Sequence, residues 1–401
     1  MRKIGLLKNT IQEYAWGSRS AIPELLGQSV PADKPQAELW MGAHPKAPSQ
    51  VFFDGIWRSL PEVIQESPEE TLGQKVAARF SNELPFLFKV LAAAKPLSIQ
   101  AHPNKEQAWH GFARENEFGI PFDAPHRNYR DDNHKPEIIC ALTPFWALNG
   151  FRRIEETLSL LEEAKIAGLA EIVSFLRSHS NRDGLKKFFN HLMTMDSGKQ
   201  GKIVEQAANF AEKQTPEKTF WTWMIKLNEA YPGDIGVLSP LFLNLVRLEP
   251  QQAMYLPAGE LHGYLEGVGI ELMANSDNVL RGGLTPKHID VQELLAVLNF
   301  IDGDLKILSP KNLVSGEASY NTEAEEFILS VIRVSKEAPF SSPRDRSVEM
   351  MICTEGEVSV TDLNAGDITL LTKGASILVP AAVEQYRIEG DGILYKAAVP
   401  V

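Results

Sequence analysis

The stretch Ser98-Ile99-Gln100-Ala101-His102-Pro103 constrains this chain more than any other. Side chains alternate between the faces of a β-strand, so Ser98, Gln100 and His102 share one side while Leu97, Ile99 and Ala101 take the other. A polar row on an otherwise apolar strand is costly to bury unless something satisfies it. A metal ion in the hollow of a β-barrel is one such partner. Two further donors are placed to complete a site: Glu137 in Asn133-His134-Lys135-Pro136-Glu137, and His262 in Leu256-Pro257-Ala258-Gly259-Glu260-Leu261-His262. Two imidazoles and two oxygens form a ligand set that a borderline divalent ion accepts.

Composition narrows the partners. The formal net charge of −12 and the lack of any basic stripe argue against nucleic acid, so an anionic ligand must be small and held by a local cluster of Lys and Arg. No run reaches the roughly 18 apolar residues of a membrane span. The first residues carry charge but lack the apolar segment and small-residue cleavage site of a signal peptide. Cys140 and Cys353, the only cysteines, lie in apolar strand-like runs and read as reduced core thiols. Together these features predict a cytoplasmic protein with no nucleic-acid or membrane partner.

The 401 residues exceed one ordinary core, and the texture changes along them. Short apolar runs, Pro85 to Leu91 the clearest, predict strands up to about residue 110. Leu, Ala, Glu and Lys at helical spacing then dominate from about 153: Ile154, Leu158, Leu161 and Ile166 mark one helix, and Leu169, Ile172 and Leu176 another. Asp183-Gly184 punctuates the block, Thr215-Pro216 reads as a helix start, and Trp221 and Trp223 read as packing residues. Beyond it, Val379 to Gly390 echoes Leu256 to Gly267 at a constant offset of 123, with Gln385 standing where the first copy has His262. The expected organisation is a mainly β chain with an α-helical insert: a β-domain from 1–152 plus 233–320, a helical insert at 153–232, and a second β-barrel at 321–401 without the metal site.

The chain resembles the type I mannose-6-phosphate isomerases, zinc-dependent phosphomannose isomerases of the cupin superfamily. The resemblance is carried by Tyr14 to Ser18, Ala37 to Pro45, the Phe86 to Leu91 run, Ser98 to Pro103, Asn133 to Glu137, and Ala274 to Arg281 continuing to Lys287. It implies cupin-type (jelly-roll) barrels, the second one degenerate, and one Zn2+ per chain bound by Gln100, His102, Glu137 and His262. It also implies a catalytic Arg281 and a pocket lined by Trp16, Ser98, Lys135, Tyr264, Glu271, Asp277 and Lys287. The implied substrate is a small sugar phosphate, and a monomer is expected.

Interconverting an aldose and a ketose phosphate moves a proton between C1 and C2 through an enediolate. Glu271, Asp277, Lys135 and Lys287 are all chemically possible as the base, and the sequence does not choose among them. Phosphate falls to some of Lys89, Ser98, Lys135, Arg281 and Lys287. Glu271 interrupts an apolar strand and must be paired or functional. Arg281 reads as part of a Gly-rich turn, and His44, beside Pro45, as a structural loop residue. The alternatives are a metal-dependent cupin oxygenase and a non-catalytic sugar-binding cupin.

Overall fold

The computed structural model describes residues 1–215, 217–314 and 316–400. It is mainly β with a helical block, as the sequence predicts. One sheet joins the strands Thr10–Gln12, Glu38–Gly42, Phe86–Ala93, His262–Ala274, Phe145–Phe151 and Leu243–Leu248, with Ile99–Ala101, Glu137–Ala141, Ala253–Leu256 and Leu280–Gly283 pairing beside this path. The 13-residue strand His262–Ala274 is its hub, pairing antiparallel with Phe86–Ala93, Ile99–Ala101, Glu137–Ala141 and Phe145–Phe151.

Period-2 alternation decides what faces where. Phe86, Phe88, Val90, Ile138, Cys140, Ile270 and Leu272 point outward into a core shared with the second sheet, where Leu329, Val331, Met350 and Ile352 meet them. Residues of opposite parity on the same strands, Lys89, Glu271 and Glu137, therefore point inward, and the register sets Lys89 directly across from Glu271. The polar residues that interrupt these apolar strands are thus gathered on one concave side.

The second sheet runs from Lys311–Val314 through the 14-residue strand Glu349–Asp362 and the 13-residue strand Tyr386–Ala398. It also takes in the first strand, Gly5–Lys8, which pairs with Ser376–Val379 on one side and with Gln50–Phe53 on the other. Strand pairing thus crosses between the two ends of the chain. The offset repeat has a backbone counterpart: Gly267 and Gly390, related by it, both hold positive φ, at 132° and 124°. A Cβ at either would lie 2.7 Å from the Pro144 carbonyl or 2.5 Å from the Glu357 carbonyl, so both long strands need glycine at that kink.

Helices fill the middle of the chain. Ile154–Ala164 and Ala170–Ser178 bury Leu158, Leu161, Ile172 and Leu176 as their spacing predicts, whereas Ile166 and Leu169 fall between the two helices, beside and within the 3-10 turn Ala167–Leu169; Trp221 and Trp223 are buried in the same core. The predicted break falls just before Asp183-Gly184. There the Asn181 side chain caps Arg182–Thr194 by accepting a hydrogen bond from the Gly184 N–H at 3.0 Å, so both residues belong to the first helical turn. After Ser197–Ala211 the next helix runs Thr219–Ala230, later than the Thr215-Pro216 start; Pro216 itself lies outside the described residues. Among the described residues no helix is long and apolar enough to cross a membrane. Cys140 and Cys353 are buried free thiols.

The shared core packs the two sheets against each other. Leu272→Ala, at a position with 0% exposure, should destabilise the chain by about 2–5 kcal/mol. Chemical denaturation checks this, and a loss under about 1 kcal/mol would show that the two sheets do not close on this layer.

Candidate metal centre and substrate cavity

His102, Glu137 and His262 converge at the inner face of the first sheet, all buried, with their ligand atoms within 4.8 Å of one another. Glu137 lies between the imidazoles, its Oε1 3.5 Å from His102 Nε2 and its Oε2 3.5 Å from His262 Nε2. Each ring is oriented from behind: His102 Nδ1 meets the Asn278 carbonyl at 2.7 Å and His262 Nδ1 the Glu260 carbonyl at 3.0 Å. A carbonyl only accepts, so each Nδ1 carries the proton and each Nε2 presents a lone pair inward. Both Nε2 atoms and Glu137 Oε2 are buried without a hydrogen-bond partner. Three such orphans facing one another would be a large cost in a closed protein, and a divalent ion satisfies all three. The donor set therefore fits a metal.

The register places the fourth candidate. Gln100 is the direct cross-strand neighbour of His262 on one side and of Arg281 on the other, so the three side chains stand in one row. Arg281 lies in the strand Leu280–Gly283 rather than in a turn, because that segment pairs with Ile99–Ala101.

In front of this row opens a cavity of about 580 Å³, lined by Trp16, Lys89, Ser98, Gln100, Lys135, Glu137, Tyr264, Glu271, Asp277, Arg281 and Lys287. With His102 and His262 just behind Gln100 and Glu137, every residue singled out from the sequence is brought together. A cavity of about 670 Å³, bordered by Glu260, Asn299 and Asp302, is larger but lacks any such convergence of donors and cations. Chemistry, not volume, marks the site.

Charges inside the cavity are mostly paired. Lys89 Nζ sits 2.7 Å from Glu271 Oε2 and 3.9 Å from Glu38 Oε1, and Lys135 Nζ sits 3.0 Å from Glu137 Oε1. Burial opposes the charge on Lys89, but Glu271, Glu38 and Glu137 outweigh it and hold the ammonium above the ordinary lysine value. Glu137 is likewise opposed by burial, yet Lys135 and His102 keep it well below the usual carboxylate range. Burial, with Glu137 and Glu38 nearby, raises Glu271 despite the pull of Lys89. Asp277 is opposed by burial but held low by Lys46, whose Nζ lies 2.6 Å from Oδ2. Arg281 and Lys287 differ from these groups: neither has an acidic partner among the described residues, and burial together with the charge of Arg130 lowers both.

Four contributors escaped the sequence reading. His44 lines the cavity, packs edge-on against Trp40 at 4.9 Å and sets its Nε2 3.7 Å from Asp277. Lys46 and Glu38 pair with Asp277 and Lys89. Asn278, fully buried, fastens the loop behind His102 to the Asp131–Asn133 loop through its side chain, accepting from Arg130 N at 2.7 Å and donating to Asn133 O at 2.8 Å. The signal for these lay in the run Glu38 to Lys46 and in the polar cluster Asn275-Ser276-Asp277-Asn278.

Comparison with known proteins bears on this site directly. Residues 4–154 match the catalytic domain of type I phosphomannose isomerase, and residues 160–243 its helical insertion domain. The chain is 41% identical to mannose-6-phosphate isomerase of Shigella flexneri over 97% of both chains. The chain belongs to the type I phosphomannose isomerases. The relationship within this family extends to the human mannose-6-phosphate isomerase, 35% identical over 98% of this chain and 93% of the relative. A zinc-bound crystal structure of mannose 6-phosphate isomerase superposes with a TM-score of 0.92 at 39% identity, covering 99% of this chain and 100% of that one. A crystal structure of a phosphomannose isomerase mutant from Salmonella typhimurium gives 0.93 with the same identity and coverage.

The buried His102 carries a pH signature. Burial first, and the Lys135 ammonium second, push its imidazole from the ordinary 6.5 down to about 4. A histidine whose folded pKa is depressed takes up its proton more readily when unfolded, so stability is full above 6.5 and is lost as pH falls toward 4. In chelator-treated protein, the stability difference between wild type and His102→Gln should be constant above pH 6.5 and shift against wild type between 6.5 and 4. Urea denaturation across that range measures it, and a flat difference would contradict the buried neutral imidazole.

Proposed function

We propose that this chain interconverts mannose 6-phosphate and fructose 6-phosphate by proton transfer through an enediolate, with one Zn2+ held by Gln100, His102, Glu137 and His262. The carrying observation is the juxtaposition of three orphaned buried ligand atoms with a cavity whose Arg281 and Lys287 lack counter-ions among the described residues. Zinc, named for a family member of the same fold, would supply Lewis-acid stabilisation of negative charge on the substrate oxygens.

The chain's own residues divide the remaining work. Lys135 neutralises Glu137, keeping that carboxylate ionised as a ligand. Glu271 suits the acid–base role: burial raises its pKa, which makes it a stronger base toward the carbon acid than an ordinary carboxylate. Asp277, held ionised by Lys46, orients that wall of the cavity with His44. Arg281, in one row with Gln100 and His262, lies where an enediolate would form, and its fixed planar charge stabilises it. Lys89 is committed to Glu271, so the phosphate falls to Ser98 and Lys287 at the rim, with Trp16 and Tyr264 bounding the sugar.

Neither an oxygenase nor a non-catalytic sugar-binding role draws support from the relatives. The same reading has the enzyme acting as a monomer in the cytoplasm without nucleic-acid or membrane partners; the −12 charge and the two buried free cysteines support it. It also keeps the three-part organisation, with the C-terminal barrel lacking a metal site because Gln385 replaces the histidine and gives its amide to the Ser342 carbonyl at 3.0 Å.

Arg281→Lys keeps the charge and loses the fork, so kcat on mannose 6-phosphate should fall by about 100-fold or more while KM changes little. Steady-state kinetics with zinc content checked in both proteins measures it. A raised KM at wild-type kcat would assign Arg281 to phosphate instead.

A further inference from the structure

The turn Tyr231-Pro232-Gly233-Asp234 follows the helix Thr219–Ala230 and leads through the short helical segments Ile235–Leu238 and Ser239–Phe242 back to the sheet at Leu243. Two of its side chains reach two separate segments that line the substrate cavity. Tyr231, itself a lining residue, donates its hydroxyl to the Pro96 carbonyl at 2.7 Å, two residues before Ser98. Asp234 receives three main-chain N–H groups: Oδ1 accepts from Gly236 at 2.7 Å and from Leu284 at 2.9 Å, and Oδ2 accepts from Thr285 at 3.0 Å. A carboxylate accepting several backbone donors is a strong local tether.

The tether holds the segment that follows Arg281, where the Leu284 side chain is also buried in the helical core. Arg281 is fixed by its strand ladder with Gln100, but that ladder ends at Gly283. Gly283 and Leu284 then take positive φ, at 130° and 52°, a conformation a leucine adopts only when its surroundings enforce it. The approach is close enough that a Cβ on Gly236 would lie 2.8 Å from the Leu284 nitrogen, and one on Gly283 would lie 3.0 Å from the Gly236 Cα. Beyond this point the chain runs through Thr285 and Pro286 to Lys287, all at the cavity.

We propose that Asp234 and Tyr231 are positioning residues that set the gap between Ser98 and Lys287, so that the helical insert gauges the phosphate end of the substrate. This rests on the sugar-phosphate reading above. Because Arg281 is held by its own ladder, loosening the tether acts on phosphate capture and spares the chemical step.

Zinc-loaded Asp234→Ala should raise KM for mannose 6-phosphate about tenfold or more, with kcat within about threefold of wild type and zinc content unchanged. Asp234→Asn, which keeps one accepting oxygen, should fall between, and Tyr231→Phe should shift KM the same way by less. Inhibition by inorganic phosphate should weaken in parallel. Unchanged KM and phosphate inhibition in a folded Asp234 variant, or a fall in kcat alone, overturns the proposal. Should the alanine variant not fold, Asp234→Asn and Tyr231→Phe carry the same comparison. Calorimetric titration of inorganic phosphate into wild type and Asp234→Asn separates the two claims: weaker binding in the variant supports the tether even if wild type proves inactive on mannose 6-phosphate, and equal binding overturns it.

Discussion

Everything about the site depends on the buried carboxylate of Glu137. An isolated ionised carboxylate taken out of water costs several kcal/mol, and here it is 1% exposed. Lys135 at 3.0 Å offsets part of that cost, and the two imidazoles turn lone pairs, not protons, toward it. That arrangement is repulsive without a cation in the middle. The carbonyls of Asn278 and Glu260 hold the rings in this tautomer, so the surrounding loops maintain a site that a bound cation relaxes.

The second β-unit carries its own buried ion-paired group. There Lys396 lies 2.7 Å from Glu317 and 3.0 Å from Glu349, a buried ionic group that satisfies itself. No cluster of three His, Cys, Asp or Glu ligands stands in that unit among the described residues. It supports the first unit through the shared apolar layer and through Glu326, which pairs with His134 at 2.7 Å three residues before Glu137. The strand that delivers Glu137 is therefore braced from the far sheet.

Much of this was legible in sequence because strands have a fixed period. Alternation set Ser98, Gln100 and His102 on one side of their segment, and the structure brings them together with Glu137 and His262. Glu271 within an apolar run announced a partner, which proved to be Lys89 across the ladder. Loops have no such period. His44, Asn278 and Asp234 act through hydrogen bonds or ion pairs to segments remote in sequence, so nothing in their immediate neighbours revealed their partners. Arg281 was misplaced in a turn for a related reason: the glycines around it read as a bend, whereas pairing with Ile99–Ala101 makes them the end of a strand.

The central claim is that the orphaned donors around Glu137 hold the ion on which isomerisation depends. Zinc back-titration of chelated protein tests it most directly, with bound zinc and mannose 6-phosphate turnover followed in the same samples. The account predicts that turnover is absent in the stripped protein and rises in proportion to zinc, saturating near one ion per chain. Full turnover by stripped protein, or activity that stays absent once one zinc is bound, would contradict it.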